Sequence, residues 1–147
     1  MAELPSAVLF ACTMNSIRSP IAEAILKHLH GSRIYVDSVG ARKGEIDQFA
    51  VAVMEEIGID LGRHRSKSFA QLEDSSFDLI VTLSPEAQHK AMDMTRAMAC
   101  EVEFWNTFDP SVVEGSRETR LAAYRQVRDE LYRRIKDRFP TGGVAGT

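Results

Sequence analysis

The chain has 147 residues, 44% hydrophobic and 27% charged, the length and balance of one globular domain. With 18 basic against 21 acidic side chains the formal charge is -3, so no positive field exists to hold a nucleic-acid backbone. No apolar run approaches the roughly 18 to 20 residues of a membrane span, and the start, Met1-Ala2-Glu3-Leu4-Pro5, has no secretory pattern; a cytoplasmic protein with no membrane or nucleic-acid partner is expected.

Ala7 to Ala11 is a continuous apolar run and reads as a strand buried on both faces, ending at Cys12. From Ser19-Pro20 the apolar positions Ile21, Ala24, Ile25 and Leu29 recur at helical spacing, and Gly31 closes that helix. Arg33 to Val39 reads as a second strand, Gly40 to Asp47 as a loop, and Phe49, Val53, Met54 and Ile57 mark a helix stopped at Gly58. Phe77 to Leu83 is a third strand, Pro85 to Met98 a helix, and Cys100 to Phe104 a fourth strand. Leu121, Tyr124, Val127, Leu131 and Ile135 describe one long helix over Arg117 to Phe139 with a single apolar stripe and a solvated charged face. Residues 1–139 form the expected single domain. Residues 140–147, Gly-rich with nothing to bury, form a flexible tail.

Alternating strands and helices force parallel pairing with right-handed crossovers, and ligands of such sheets sit beyond the carboxyl ends of the strands. That places the segment Cys12-Thr13-Met14-Asn15-Ser16-Ile17-Arg18-Ser19 between a buried strand and a helix N-terminus, where successive unpaired amides form an anion cradle. The same amides and helix dipole favour a thiolate at Cys12. Arg18 can fold its planar fork over a tetrahedral oxyanion, Ser19 offers a hydroxyl close to the sulfur, and Asn15 suits a left-handed turn. Arginine at that offset followed by serine arises by chance after well under about 1% of cysteines at average residue usage, so Cys12 is read as a nucleophile rather than a core residue. Two cysteines, Cys12 and Cys100, with four scattered histidines show no paired metal-ligand spacing, and neither a metal nor another cofactor is expected.

Cys12, five further residues, then Arg18-Ser19-Pro20 near the start of a chain this size resembles the low-molecular-weight protein tyrosine phosphatases and the related thioredoxin-linked arsenate reductases. The likeness continues through Val36-Asp37-Ser38-Val39-Gly40, Gly58-Ile59-Asp60-Leu61, His64-Arg65-Ser66, Phe77-Asp78-Leu79-Ile80-Val81-Thr82, Asp109-Pro110 and the Tyr124 to Asp129 stretch. The fold expected is a single-domain three-layer α/β sandwich around a four-stranded parallel sheet in flavodoxin-like order 2-1-3-4. The resemblance implies a phosphomonoester hydrolase with a cysteinyl-phosphate intermediate. In it Thr13, Met14, Asn15, Ser16, Ile17 and Arg18 cradle the phosphate, and Asp109 protonates the leaving oxygen and then activates water. It also implies that Asn15, Ser19, Ser38 and His64 support the loop through hydrogen bonds. A phosphorylated protein or small aryl phosphate is the implied substrate, with inorganic phosphate or another oxyanion as product or inhibitor.

Several positions depart from these relatives. Position 14, commonly glycine, is Met14, at the rim of the cradle; position 17, usually a second cysteine, is Ile17, so no vicinal disulfide can protect the nucleophile. Ser111-Val112-Val113 follows Asp109-Pro110 where phosphotyrosine-selective members carry aromatic walls, leaving Trp105 or Phe108 as substitutes or as packing residues. Thr13, Ser16 and the stretch from Trp105 to Asp129 look closer to the arsenate reductases. The segment Thr82 to Lys90 lacks the relay cysteines those enzymes use, and Cys100, read as a buried structural residue, is the other thiol. The competing readings are an arsenate reductase using Cys100 or an external thiol, and a phosphate-binding module without turnover.

Overall fold

The computed structural model describes residues 4–73, 76–96 and 99–140. The elements in chain order are β1 (Ala7–Cys12), α1 (Arg18–His30), β2 (Tyr35–Gly40), α2 (Gln48–Glu55), β3 (Leu79–Thr82), α3 (Pro85–Met94), β4 (Glu101–Phe104) and α4 (Arg117–Arg138), with short 3-10 turns at Phe69–Gln71 and Pro110–Val112. All three strand pairings are parallel and the order is β2-β1-β3-β4, the expected sheet. The chain leaves β1 for β2 on one side and crosses to β3 on the other. The carboxyl end of β1 is therefore the switch point where a crevice opens.

Alternation along β1 divides the core. Val8, Phe10 and Cys12 face α1, α2 and α4 in the larger cluster, whereas Ala7, Leu9 and Ala11 face Ala87 and Ala91 of α3 in the smaller one. The stripe of α4 is buried as its spacing predicts, from Leu121 through Tyr124, Val127 and Leu131 to Ile135. Its charged face is not simply solvated. Arg128 is buried, donating to the Val53 carbonyl at 2.8 Å and to Glu56 at 2.8 Å, while Arg125 forks onto Glu56 and Arg138 bonds Glu103. These contacts tie α4 to α2 and to β4.

Some boundaries differ from the sequence expectation. The third helix ends at Met94 rather than Met98, because Thr95 leaves the helical backbone and its hydroxyl turns back to the Ala91 carbonyl at 2.8 Å; residues 97 and 98 lie outside the described residues, as does the tail over 141–147. Cys100 precedes β4 and is half-buried rather than buried, its thiol pushed up from the ordinary range by burial and then by Asp78 and Glu101. Trp105 is a packing residue: it is buried edge-on to Phe10 with the Arg134 guanidinium over its ring. Among the described residues no helix is long and apolar enough to cross a membrane.

Candidate active site

The loop after β1 is shaped by what its carbonyls bind. Ala41, Arg42, Gly44 and Asp47 donate their amides to the carbonyls of Cys12, Thr13, Met14 and Ser16 at 2.9, 2.8, 2.9 and 3.0 Å. The Ser66 hydroxyl takes the Asn15 carbonyl at 2.6 Å, and the Ile21 amide takes that of Ile17. Each carbonyl from Cys12 to Ile17 is thereby drawn outward, and the amides of residues 14 to 17 find no acceptor among the described residues. An anion cradle at the α1 N-terminus is what such a loop can offer. Asn15 sits at φ 55, the left-handed region expected of it, and Gly40 lets β2 pass close by: a Cβ there would meet the Asn15 nitrogen at 2.6 Å.

Behind the cradle the Asn15 amide makes four bonds. Its Nδ2 donates to Ser19 Oγ at 2.8 Å and Ser38 Oγ at 3.0 Å; its Oδ1 accepts from His64 Nε2 at 3.0 Å and the Lys67 amide at 2.9 Å. The Lys67 amide can only donate, which fixes the orientation of Asn15. Sequence thus named four members, Asn15, Ser19, Ser38 and His64, and the structure brings all four together. It missed Glu23, buried on α1, which accepts from Ser38 Oγ and Lys27 Nζ at 2.5 Å each and lies 3.7 Å from His64 Nδ1. An acidic residue four positions after Ser19, inside the apolar stripe of α1, was the available signal. Burial lowers the His64 pKa, with Glu23 acting against it.

In front, Cys12 Sγ lies 3.0 Å from Ser19 Oγ and receives the Ser19 amide at 3.4 Å. Arg18 is buried, its Nη1 donating to the Thr107 carbonyl at 3.0 Å and its Nη2 to Thr13 Oγ1 at 3.4 Å. Thr107 is held in turn by its amide on the Leu83 carbonyl, so the segment after β4 hangs from the end of β3. That segment carries Asp109, whose Oδ2 lies 3.9 Å from Arg18 Nη2 while its Oδ1 accepts from the Ser111 amide and hydroxyl. Cys12, Thr13, Arg18 and Asp109 line one cavity of about 300 Å³ with Met14 at its rim, the position expected of that side chain. Ile17 packs in the core and also lines the cavity. Sequence did not anticipate Glu45 and Asp47, which also line the cavity.

A sulfur, a guanidinium, a row of free amides and a carboxyl around one crevice at the sheet's switch point agree with the family comparison, in which residues 7–139 match the model for low molecular weight phosphotyrosine protein phosphatase. The chain belongs to that family. An arsenate reductase of Halalkalibacterium halodurans is 36% identical over 137 residues, spanning 92% of this chain and 96% of that protein. The low molecular weight protein tyrosine phosphatase from T. tengcongensis superposes with a TM-score of 0.75 at 25% identity, covering 89% of this chain and 95% of its own. An arsenate reductase solved in a phosphate binding state gives 0.69 at 27% identity, over 90% of this chain and 95% of that one. The phosphatase family therefore supplies the fold and an enzymatic setting, with relatives of both names.

Proposed function

We propose that the protein is a phosphomonoester hydrolase acting by double displacement on a phosphorylated protein side chain or small aryl phosphate. The Cys12 thiolate attacks phosphorus while Arg18 and the amides of residues 13 to 18 hold the equatorial oxygens. Asp109 gives its proton to the leaving atom, then takes one from the water that cleaves the cysteinyl phosphate. Ser19 Oγ donates to the Val39 carbonyl at 3.2 Å and lies beside the sulfur, so its single proton can move from the carbonyl to a departing thiolate. Asn15, Ser38 and His64 keep Ser19 and the loop in place.

The observation that carries this reading is the company Cys12 keeps: its cavity holds the Asp109 carboxyl and no second cysteine. Following the register Ala11, Thr82, Phe104, Cys100 lies at the opposite end of the sheet and two strands across, roughly 15 to 20 Å from Cys12 at ordinary strand spacings. An internal disulfide relay is out of reach at that separation. The arsenate-reductase relatives favour a second reading, arsenate reduction with an external thiol.

Both are tested on one preparation. Hydrolysis of p-nitrophenyl phosphate in the presence of a chelator is expected; Cys12→Ser should abolish it and Asp109→Asn should lower kcat about 10²- to 10³-fold. Arsenate-dependent oxidation of a coupled thiol system without hydrolysis would establish the second reading instead. Tight phosphate binding with no turnover of either kind would overturn both.

A further inference from the structure

We propose that a second cavity, beside the catalytic one, takes a carboxylate side chain of the phosphorylated protein, a few residues from the phosphorylated position, because Lys43 and Arg65 stand there on the two segments that clamp the cradle. The inference rests on the hydrolase reading and says what its protein substrate carries around the phosphoryl group.

Lys43, Glu45, Gln48, His64, Arg65 and Ser66 line this cavity of about 490 Å³. Glu45 also lines the catalytic cavity, so the two adjoin across that side chain. A peptide with its phosphoryl group over Cys12 can therefore run on into the second cavity. An extended chain advances roughly 3.3 to 3.6 Å per residue, which keeps the occupant within the first few residues of the reacting one.

The backbone beside each cation is fixed to the cradle. The amides of Arg42 and Gly44, on either side of Lys43, take the carbonyls of Thr13 and Met14. The His64 ring and the Ser66 hydroxyl, on either side of Arg65, take the side-chain and backbone oxygens of Asn15. An anchor made by these two cations is thus in register with the loop that holds phosphorus.

Their charge is uncommitted. Neither Lys43 nor Arg65 has a partner among the described residues, whereas Arg42 is taken by Glu86 at 3.2 Å and Lys67 by Asp37 at 2.6 Å. Burial lowers the His64 pKa, so its ring is largely uncharged at neutral pH, and Glu45 is the one acid of the lining against two bases. The catalytic cavity has the opposite balance, Glu45, Asp47 and Asp109 against Arg18. A carboxylate near the phosphoryl group is repelled from the catalytic mouth and attracted next door, which selects one seating of the chain. The Arg65 guanidinium offers a planar fork to both carboxylate oxygens, and Lys43 adds a point charge.

The test compares kcat/KM, at low ionic strength, for a peptide carrying phosphotyrosine with two aspartates on each side and for the same peptide with asparagines in their place. p-Nitrophenyl phosphate serves as the substrate without flanks. The native protein should prefer the acidic peptide roughly five- to tenfold, the worth of two exposed ion pairs, through KM and not kcat, and added salt should erase the preference. Lys43→Gln and Arg65→Gln, both at exposed positions, should each cut the preference about two- to threefold. Lys90→Gln, the same charge change at an exposed site on α3, should leave it unaltered. Equal turnover of the two peptides, turnover of neither while p-nitrophenyl phosphate is hydrolysed, or equal effects of the three substitutions overturns the inference and leaves the hydrolase reading intact. Absence of Cys12-dependent hydrolysis of all three substrates removes that reading and the inference with it.

Discussion

Asn15 joins the two halves of the site: its left-handed backbone turns the loop, and its side chain, fully buried, carries four hydrogen bonds to Ser19, Ser38, His64 and Lys67. Replacing it by alanine strands those partners and strains φ. Asn15→Ala is expected to cost about 2 to 4 kcal/mol in urea unfolding and to lower kcat far more than it changes KM, since the loop loses its frame and not its charge. His64 titrates against this network. Burial lowers its pKa in the fold below the ordinary value near 6.5, so the unfolded state carries more protons as the pH falls through that value. Stability contributed by His64 is complete above about pH 6.5 and declines as acid takes the protein toward the folded-state value. Melting curves from pH 7.5 to 5 should fall less steeply for His64→Gln than for the native protein; parallel curves would remove His64 from the account.

At the scale of elements, the 41–47 segment is the part that shapes chemistry, because its amides take the carbonyls of Cys12, Thr13, Met14 and Ser16 on the outside of the loop. Gly40 is the residue that lets it pass. A methyl group there would meet the Arg42 oxygen at 2.5 Å and the Met14 carbonyl carbon at 2.7 Å, both backbone atoms that cannot swing aside. Gly40→Ala should therefore destabilise the protein by about 1 to 3 kcal/mol and weaken phosphate binding measured by calorimetry. Leu131 in the middle of the α4 stripe is fully buried, and Leu131→Ala should cost about 2 to 5 kcal/mol without touching the site. That stripe was legible in sequence since its 3.6-residue period needs no partner to be recognised. The Arg125, Arg128 and Glu56 cluster was not, because the partners lie about seventy residues apart and look like ordinary surface charges until α4 packs on α2.

For the whole molecule, the order β2-β1-β3-β4 puts the free end of β1 between strands that leave in opposite directions, and that crevice gathers Arg18 from α1, the Thr107 carbonyl that holds it and Asp109 from the segment after β4. An oxyanion bound there engages the folded state alone. On the proposed function, inorganic phosphate at about a hundred times its Kd should add roughly 2.7 kcal/mol to unfolding stability, a shift lost in Arg18→Ala. An unchanged melting temperature across phosphate concentrations would deny the cradle its ligand.

Local pattern was enough to fix the alternating elements, the α/β class and the loop spanning Cys12 to Ser19, since strand burial, helix periodicity and turn chemistry are all written within a few residues of each other. Folding alone decided that Glu23 completes the support behind Asn15, that Cys100 stands toward the opposite end of the sheet from Cys12, and that Glu45 and Asp47 give the cavity an acidic rim. These depend on register and crossover, which bring together groups distant along the chain, and distance along a chain carries no charge, no hydrogen bond and no wall until the sheet has closed.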